Sequence, residues 1–322
     1  TVWAVIPRPM AFFACFAYYV CSFVAWLFPI ARWYVPFLYH DPEPAELADK
    51  SLPLIVFSHG LTGTGEEHTL LFTAWARRGY MVMSITHTDK SAGRVVMPDG
   101  SIEWYSKPSD TPYDKTLRPR QVAIRQQQIA AAREYALKAA APASKSGGEA
   151  GDVDDIPASL RKMIDPTRVI AAGFSYGASS AALEVHLNPS NYCCCLVVDP
   201  WLRLVVRSID YYHDFPEELH TPGTGLKIPS LFFLSQGFSK FEYMVRLTTQ
   251  LKDNSVAGSE YHIIPDTLHN NFTDLPFLFP IQDLQDKEIL GKGDPYVAFM
   301  EYLNLTVDFL CKHAPPPGFK AK

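Results

Sequence analysis

The sequence lacks the charge pattern of a nucleic-acid-binding protein. Its 322 residues carry a net charge of −5 and contain no long basic run, so nucleic acid is not expected as the main partner. It also lacks an internal repeat, which excludes a solenoid. Apolar residues make up 48% of the chain and charged residues 20%, a composition typical of a globular protein with a large core.

Cysteines are few, and their spacing does not suit cross-linking. Of the six, three are consecutive at 193–195, and neighbouring side chains of a strand point to opposite faces. The spacing matches neither a disulfide framework nor the paired ligands of a zinc site. We therefore expect buried, reduced thiols in a reducing compartment, and no metal or other cofactor.

Residues 10–30 form an apolar segment with no charged side chain. Its aromatic residues recur at spacings of three and four, which places them on one face of a helix: Phe12, Phe16, Tyr19, Phe23 and Trp26. This pattern favours an interfacial or packed helix, and so a membrane-associated or cytoplasmic protein. A membrane-spanning anchor is the first alternative and a signal sequence the second, although no convincing cleavage site follows.

The rest of the chain alternates apolar runs with helical patterns. Strands are predicted at 53–60, 80–88, 168–173, 192–198, 230–235 and 260–264. Helices are predicted from a Thr64/Glu67 capping box to 78, at 117–140, after residue 175, at 240–252 and at 294–311, with a hairpin near 94–105. This order predicts a mostly parallel α/β sheet in one domain, 41–322, after a separate hydrophobic segment, 1–40. Residues 141–157 are small, polar and acidic, and read as a flexible insertion.

Ser175 lies between two glycines, in "GFSYG", at the end of the predicted strand 168–173. An ordinary strand-to-helix turn is one interpretation. The other is the strained elbow that presents a nucleophilic hydroxyl in α/β hydrolases. Because the working groups of a parallel sheet lie at the carboxyl ends of its strands, the elbow places Ser175 where catalysis is expected.

A serine nucleophile needs a base and an acid that orients it. His269 follows the last predicted strand and is the favoured base. Asp199 ends the strand after the serine and is the favoured acid, because the order Ser, Asp, His is that of α/β hydrolases. Glu242, which follows the next strand, stays open as a competitor for the acid.

The oxyanion of acyl transfer is usually bound by backbone amides. The amide of Tyr176, directly after the nucleophile, is one candidate. Leu61, in "SHGLTGTG" after the first strand, offers the second. The loop glycines also suit a phosphate cradle, but no Lys-Ser/Thr follows them, so a nucleotide P-loop is not expected.

Several ordered motifs together resemble those of the platelet-activating factor acetylhydrolases, which include the plasma lipoprotein-associated phospholipase A2 and its intracellular relative. They are "PLIVFSHGL", "THTDKSAG", "LRPRQV", "GFSYGA", "VVDPW" and "LHNNFTD", within residues 50–312. The resemblance implies an α/β-hydrolase fold with Ser175 as nucleophile, Asp199 as acid, His269 as base, and Leu61 and Tyr176 as oxyanion donors.

The resemblance also implies a calcium-independent serine esterase that cleaves the sn-2 ester of platelet-activating factor and of short-chain or oxidised phospholipids. Trp201, in "DPW", matches an aromatic position beside the family's acid. Phe174 replaces the histidine usual before the nucleophile, and Asn270 follows the base, so these three residues are expected to line the substrate pocket.

Because of these replacements, a general carboxylesterase or neutral lipase is the runner-up, and an inactive lipid-binding relative is a second alternative. A phospholipid substrate and a lipid interface are the expected partners. The family's strands before residue 50 are not evident, and the chain begins at Thr1, which leads us to expect a truncated chain.

Overall fold

A computed structural model describes residues 51–97, 99–106, 117–138, 158–205, 212–214 and 216–318. Apart from residues 205 and 212, these belong to one compact unit. The predicted segment 1–40 and the insertion 141–157 lie outside the described residues, so the domain boundaries stay a prediction. Within the described ranges, no helix is both long and apolar enough to cross a bilayer.

Strands and helices alternate along the described chain. The strands are β1 Leu52–Ser58, β2 Met81–Ile85, β3 Arg94–Val96, β4 Ile102–Trp104, β5 Ile164–Phe174, β6 Cys194–Val198, β7 Arg203–Val205, β8 Tyr212–Asp214, β9 Ser230–Ser235 and β10 Glu260–Ile264. The α-helices are α1 Thr69–Ala76, α2 Leu117–Leu137, α3 Ala158–Arg161, α4 Tyr176–Leu187, α5 Gln236–Ser239, α6 Glu242–Asp253, α7 Leu275–Leu278, α8 Ile281–Asp286 and α9 Pro295–His313. Short 3₁₀ turns occupy Pro189–Asn191, Glu217–Leu219 and His269–Phe272.

Six strands form one sheet in the order β10-β9-β6-β5-β1-β2, and every neighbouring pair is parallel. The strands β3 and β4 pair separately as the predicted antiparallel hairpin. The prediction of an α/β fold with a mostly parallel sheet is therefore confirmed.

The sheet is buried on both faces because alternate side chains of each apolar strand enter two different cores. From β1, Leu54 and Val56 pack with residues of α2, α4 and α6. Ile55 and Phe57 pack on the other face with residues of α1 and α9. This three-layer arrangement brings the carboxyl ends of β1, β5, β6, β9 and β10 to a common edge, where the predicted site residues follow the strands.

Two predictions about helix starts have different outcomes. Asp294 caps α9 as predicted, with its side chain accepting hydrogen bonds from the amides of Tyr296 and Val297. The capping box predicted at Thr64 and Glu67 is wrong, because α1 begins only at Thr69. The carboxylate of Glu67 is engaged elsewhere, as described below.

Candidate active site

Ser175 occupies the sharp turn between β5 and α4, with φ of +56° and ψ of −117°. Such a backbone conformation costs a non-glycine residue on the order of 1–3 kcal/mol, and such strain is concentrated at active sites. The flanking glycines are sterically required. A Cβ at Gly177 would lie 2.0 Å from the carbonyl oxygen of Ser58, and one at Gly173 would lie 2.3 Å from that of Gly177.

Asp199 directly follows β6 and is fully buried. Its Oδ1 accepts a hydrogen bond from the amide of Ser235 (2.6 Å), and its Oδ2 accepts one from the Ser235 hydroxyl (2.7 Å). The Oδ2 atom also lies 2.9 Å from Nδ1 of His269. Since an ionised carboxylate only accepts hydrogen bonds, this contact places the imidazole proton on Nδ1 and leaves Nε2 as an acceptor.

His269 begins the 3₁₀ turn after β10, and its loop is held by Asn271. The Asn271 Oδ1 accepts hydrogen bonds from the amides of Leu268 and Gly291, each at 2.8 Å. The His269 ring stacks on Phe174 at a centroid distance of 4.4 Å. Because Phe174 directly precedes Ser175, the predicted base lies beside the elbow of the predicted nucleophile.

The competitor Glu242 and two further carboxylates that follow strands, Asp89 and Asp266, lie in different surroundings. Glu242 is exposed in the first turn of α6, and Asp266 is exposed in the loop before His269. The carboxylate of Asp89 forms an ion pair with Arg125. The structure therefore brings Asp199, and none of these three carboxylates, into hydrogen-bond contact with His269.

The loop after β1 reaches the elbow at Gly60. A Cβ at this position would lie 3.2 Å from the Phe174 ring and 3.4 Å from the Cβ of Ser175, so the loop passes in direct contact with the elbow. Leu61, the next residue, packs against the small cluster that contains Tyr176. Tyr176 is the first residue of α4, where an amide has no acceptor within the helix. The amides of Leu61 and Tyr176 thus belong to two segments that meet at Ser175.

A buried polar network lies behind this loop. The guanidinium of Arg125, in α2, donates hydrogen bonds to the carbonyl oxygens of His59 (2.5 Å) and Gly60 (3.3 Å). Its Nε lies 3.2 Å from Oδ2 of Asp89, and both side chains are fully buried. Ser91 Oγ accepts hydrogen bonds from the same guanidinium at 2.9 Å and 2.6 Å. Arg125 therefore holds the two carbonyl groups that precede Leu61.

Two histidines in this network are neutral. Burial, followed by the charge of Arg125, holds the pKa values of His59 and His87 well below their ordinary range. His59 Nε2 accepts a hydrogen bond from the His87 amide (3.1 Å), so its Nδ1 carries the proton and donates to the Gly60 carbonyl (2.6 Å). His87 contacts Ser58 Oγ and Gln128 Oε1. Both rings therefore serve as fixed hydrogen-bonding partners at neutral pH.

Glu67 and His68 form a second support for the loop. Glu67 Oε1 accepts a hydrogen bond from the Gly60 amide (2.8 Å) and lies 3.4 Å from His68 Nε2. Burial opposes ionisation of Glu67, but the hydrogen bond and the charge of His68 lower its pKa. His68 Nδ1 donates to the carbonyl oxygen of Phe272 (2.7 Å). Glu67 therefore helps shape the loop at Gly60.

The residues expected to line the pocket are dispersed around the elbow. Phe174 is buried and contacts the His269 ring. Trp201 is half-buried, and its centroid lies 6.3 Å from that of Phe238. The side-chain Nδ2 of Asn270 lies 3.5 Å from the carbonyl oxygen of Ile289. Their role in substrate binding stays a prediction.

The described cysteines only partly match the prediction of buried thiols. Cys194 and Cys195 are buried, whereas Cys193 and Cys311 are half-buried, and all four are free. In the described part of the chain, no group of three or more His, Cys, Asp or Glu side chains is arranged to hold a metal ion.

Several supporting residues were not found from the sequence. Ser235 has a recognisable signal, because it ends a predicted strand and its hydroxyl caps α5 by accepting from the Phe238 amide. Asn271 and Asp274 lie in the quoted motif "LHNNFTD", but no local pattern in that motif shows which groups they contact. Arg125 lies in a long polar helix without a distinguishing pattern, so only its tertiary contacts show that it reaches the loop after β1.

Comparison with known proteins identifies the family and the fold of this chain. The model of the family "Platelet-activating factor acetylhydrolase, isoform II" matches residues 39–315. The platelet-activating factor acetylhydrolase of Cavia porcellus is 24% identical over 84% of this chain and 59% of its own length. The Gallus gallus protein of the same name is 25% identical over 81% of this chain and 62% of its own length. The chain thus spans about three fifths of these curated relatives.

Among solved structures, the ferulic acid esterase of Streptomyces cinnamoneus is similar with a TM-score of 0.60 and 20% identity, over 85% of this chain and 72% of that one. The sheet order and this likeness define an α/β-hydrolase fold. Since the family model matches most of its length, the chain belongs to the platelet-activating factor acetylhydrolase isoform II family. The resemblance inferred from the motifs is confirmed.

Proposed function

We propose that this protein is a calcium-independent serine esterase with Ser175 as nucleophile, His269 as base and Asp199 as acid. The observation that carries the proposal is the hydrogen bond from His269 to a fully buried carboxylate, 2.9 Å long, beside a strained serine elbow. Family membership supports ester hydrolysis as the reaction class.

The chemistry follows from the placement of the groups. His269 Nε2 takes the Ser175 proton as Oγ attacks the ester carbonyl carbon, and Asp199 stabilises the imidazolium that forms. The carbonyl oxygen becomes an oxyanion, which the amides of Leu61 and Tyr176 bind. When the intermediate collapses, the bond between the carbonyl carbon and the alcohol oxygen breaks and His269 protonates the departing alcohol. The acyl group stays bonded to Ser175 Oγ. Water, deprotonated by His269, then releases the acid.

We further propose that the ester is the sn-2 ester of platelet-activating factor and of phospholipids with short or oxidised acyl chains. Support comes from the family and from the names of the relatives, which include platelet-activating factor acetylhydrolases and a putative phospholipase A2 of Schizosaccharomyces pombe. A general carboxylesterase or neutral lipase is the alternative within ester hydrolysis.

Labelling with a fluorophosphonate probe tests the nucleophile. The unaltered protein is expected to become labelled and Ser175→Ala is not, because the probe phosphonylates an activated serine hydroxyl. Ser101→Ala, at an exposed serine near the β3–β4 turn, is the matched control and is expected to label normally. Equal labelling of Ser175→Ala contradicts the assignment.

Turnover of three substrates tests the ester class. A short-chain phospholipid is expected to be hydrolysed faster than a long-chain phospholipid and a soluble aryl ester. Preference for the aryl ester or for long-chain lipid supports the alternative. Lipid binding without hydrolysis of any of the three supports an inactive lipid-binding relative.

A further inference from the structure

The imidazole ring of His269 lies between two phenyl rings. The Phe174 centroid is 4.4 Å from it with planes at 25°, and the Phe238 centroid is 4.4 Å from it with planes at 5°. Both phenylalanines are buried. Because the two faces of the imidazole are covered, its chemistry is confined to the ring edge, where Nδ1 meets Asp199.

Each phenyl ring is itself held in place. Phe174 ends β5, and its centroid lies 4.9 Å from that of His68 at a near-perpendicular angle. The amide of Phe238 donates to Ser235 Oγ (3.2 Å), and the same hydroxyl donates to Asp199 Oδ2 (2.7 Å). One serine therefore positions both the acid of the proposed triad and one covering ring.

The covering rings act differently on the two forms of the imidazole. A cation within about 6 Å of an aromatic face is attracted by the ring quadrupole, and the attraction strengthens where water is excluded. During acyl transfer, His269 passes through the imidazolium form. An interaction that strengthens as that charge develops lowers the barrier and raises kcat.

Exclusion of water acts in the opposite direction, because an apolar surrounding disfavours the charged imidazolium. A leucine in place of phenylalanine would exclude water comparably but would present no π face. The two contributions are therefore separable by substitution at one position.

Building on the esterase proposed above, we propose that Phe174 and Phe238 form an aromatic clamp that stabilises the imidazolium form of His269 in the transition states of acylation and deacylation. The clamp also restrains rotation of the imidazole about its χ angles. Both phenylalanines are positioning residues, since they act through His269. By the usual strength of partly or fully desolvated cation–π pairs, the π face of Phe238 contributes about 5- to 30-fold to kcat.

In the described structure, the charged group in contact with His269 is Asp199. The variants at Phe238 leave Asp199 in place, so they do not remove its charge. The segment Gln236–Ser239 that carries Phe238 contributes no charge, and Lys240 after it is exposed. On the other elements packed around the site, the titratable groups meet other partners: His68 contacts Phe174, Glu67 binds the Gly60 amide, and Tyr302 packs on Phe272.

Graded fluorination of Phe238 in the full chain tests the clamp. Replacement by 4-fluoro-, 3,5-difluoro- and 3,4,5-trifluorophenylalanine retains the ring's shape and progressively weakens its negative face. We expect kcat for a soluble aryl ester to fall stepwise, by about 5- to 30-fold in total, with KM changed less than twofold. The acid limb of the kcat/KM profile should move to lower pH at each step.

Phe238→Leu is expected to lower kcat and to move the acid limb in the same direction, because it keeps the apolar wall without the π face. The matched control is the same fluorine series at Phe309, a buried phenylalanine of α9 whose ring is tilted by 50° against that of His313, and kcat should not change there. NMR titration of isotopically labelled His269 in Ser175→Ala protein gives a readout independent of turnover, and its midpoint should also move to lower pH.

If neither kcat nor the midpoint of the His269 NMR titration changes on fluorination of Phe238, the proposed clamp is wrong, even when the enzyme is fully active. Failure of the proposed function looks different. In that case the unaltered protein hydrolyses no ester and Ser175 is not labelled by the fluorophosphonate probe, whatever the NMR titration shows.

Discussion

At the scale of single residues, the carboxylate of Asp199 is tightly held. It is fully buried and takes part in three hydrogen bonds, two with Ser235 and one with His269. A buried carboxylate with so few degrees of freedom can hold one tautomer of the imidazole, which is the role that the acid of a triad requires.

Asp199→Asn is expected to lower kcat by about 10⁴-fold, by analogy with serine proteases, because the amide no longer fixes the proton on Nδ1 of His269. Turnover of a soluble ester and a thermal unfolding curve measure activity and folding separately. Glu242→Gln is the control and should leave kcat within about twofold. The opposite ranking of the two variants would show that Glu242 is the acid.

At the scale of secondary-structure elements, α2 supports the loop after β1 through one side chain. The guanidinium of Arg125 joins α2 to the carbonyl groups of His59 and Gly60 and to the carboxylate of Asp89. Removing one partner of a buried ion pair leaves an uncompensated charge, whereas replacing both partners by apolar groups is often nearly neutral.

Arg125→Met is expected to destabilise the fold by about 3–5 kcal/mol and to reduce kcat, because Asp89 loses its partner and the loop before Leu61 loses its tether. The double variant Arg125→Met/Asp89→Leu should regain much of the stability in urea unfolding. Its kcat should stay low, since no guanidinium then joins α2 to the His59 and Gly60 carbonyls. Recovery of full activity in the double variant would argue against a role in positioning the loop.

The start of α1 is tied to the loop after His269 through Asp274. Its carboxylate accepts hydrogen bonds from the amides of Thr69 (2.6 Å) and Leu70 (3.1 Å), and its own amide donates to the Glu67 carbonyl (2.8 Å). Burial raises the pKa of Asp274 to about 6, in spite of these hydrogen bonds. The folded state thus binds the proton of Asp274 more tightly than the unfolded chain does.

The stability that protonated Asp274 contributes is expected to be fully present below about pH 4 and lost as pH rises through about 6. Between these two pH values, the raised pKa of Asp274 makes the free energy of unfolding fall as pH rises, by at most about 1.4 kcal/mol per pH unit. Urea unfolding of the unaltered protein and of Asp274→Asn between pH 4 and 7 measures the difference. The variant should gain in relative stability as pH rises to 6, and a pH-independent difference would contradict the assignment.

At the scale of the whole molecule, the proposed substrate is a component of a lipid surface and the described unit carries the proposed catalytic groups. The apolar segment 10–30, outside the described residues, has the aromatic periodicity of an interfacial helix. Aromatic residues with one polar edge favour the headgroup boundary of a bilayer. We therefore propose that the protein binds vesicles through this segment without crossing them.

Removal of residues 1–35 is expected to reduce hydrolysis of vesicle-borne short-chain phospholipid much more than hydrolysis of a soluble aryl ester. The full chain with Phe16→Gln and Phe23→Gln should show the same selective loss of activity on vesicle-borne lipid. Because this variant keeps residues 1–35, it is the control for a folding defect caused by the truncation. Carbonate extraction should release the full chain from native membranes. Retention in the pellet would support a spanning anchor, and equal losses on both substrates would contradict an interfacial role.

The sequence by itself determined the framework of this protein. Apolar runs that alternate with helical patterns predict a parallel sheet, because such strands are buried on both faces. The elbow glycines, the strand-ending Asp199 and the loop residue His269 were all visible as local signals placed at the carboxyl ends of strands. The motif order was also sufficient to predict the family that the comparison confirms.

Only the tertiary structure decided which side chains meet. Asp199 forms a hydrogen bond with His269, whereas Glu242 is exposed. Glu67 accepts a hydrogen bond from the Gly60 amide and does not form the predicted capping box. The tertiary structure also shows that Arg125 contacts the loop after β1. Apart from the hydrogen bond between Glu67 and Gly60, these contacts join segments far apart in the chain, so their partners depend on strand order and helix packing. A strand or a turn, in contrast, is encoded by residues that are neighbours in sequence.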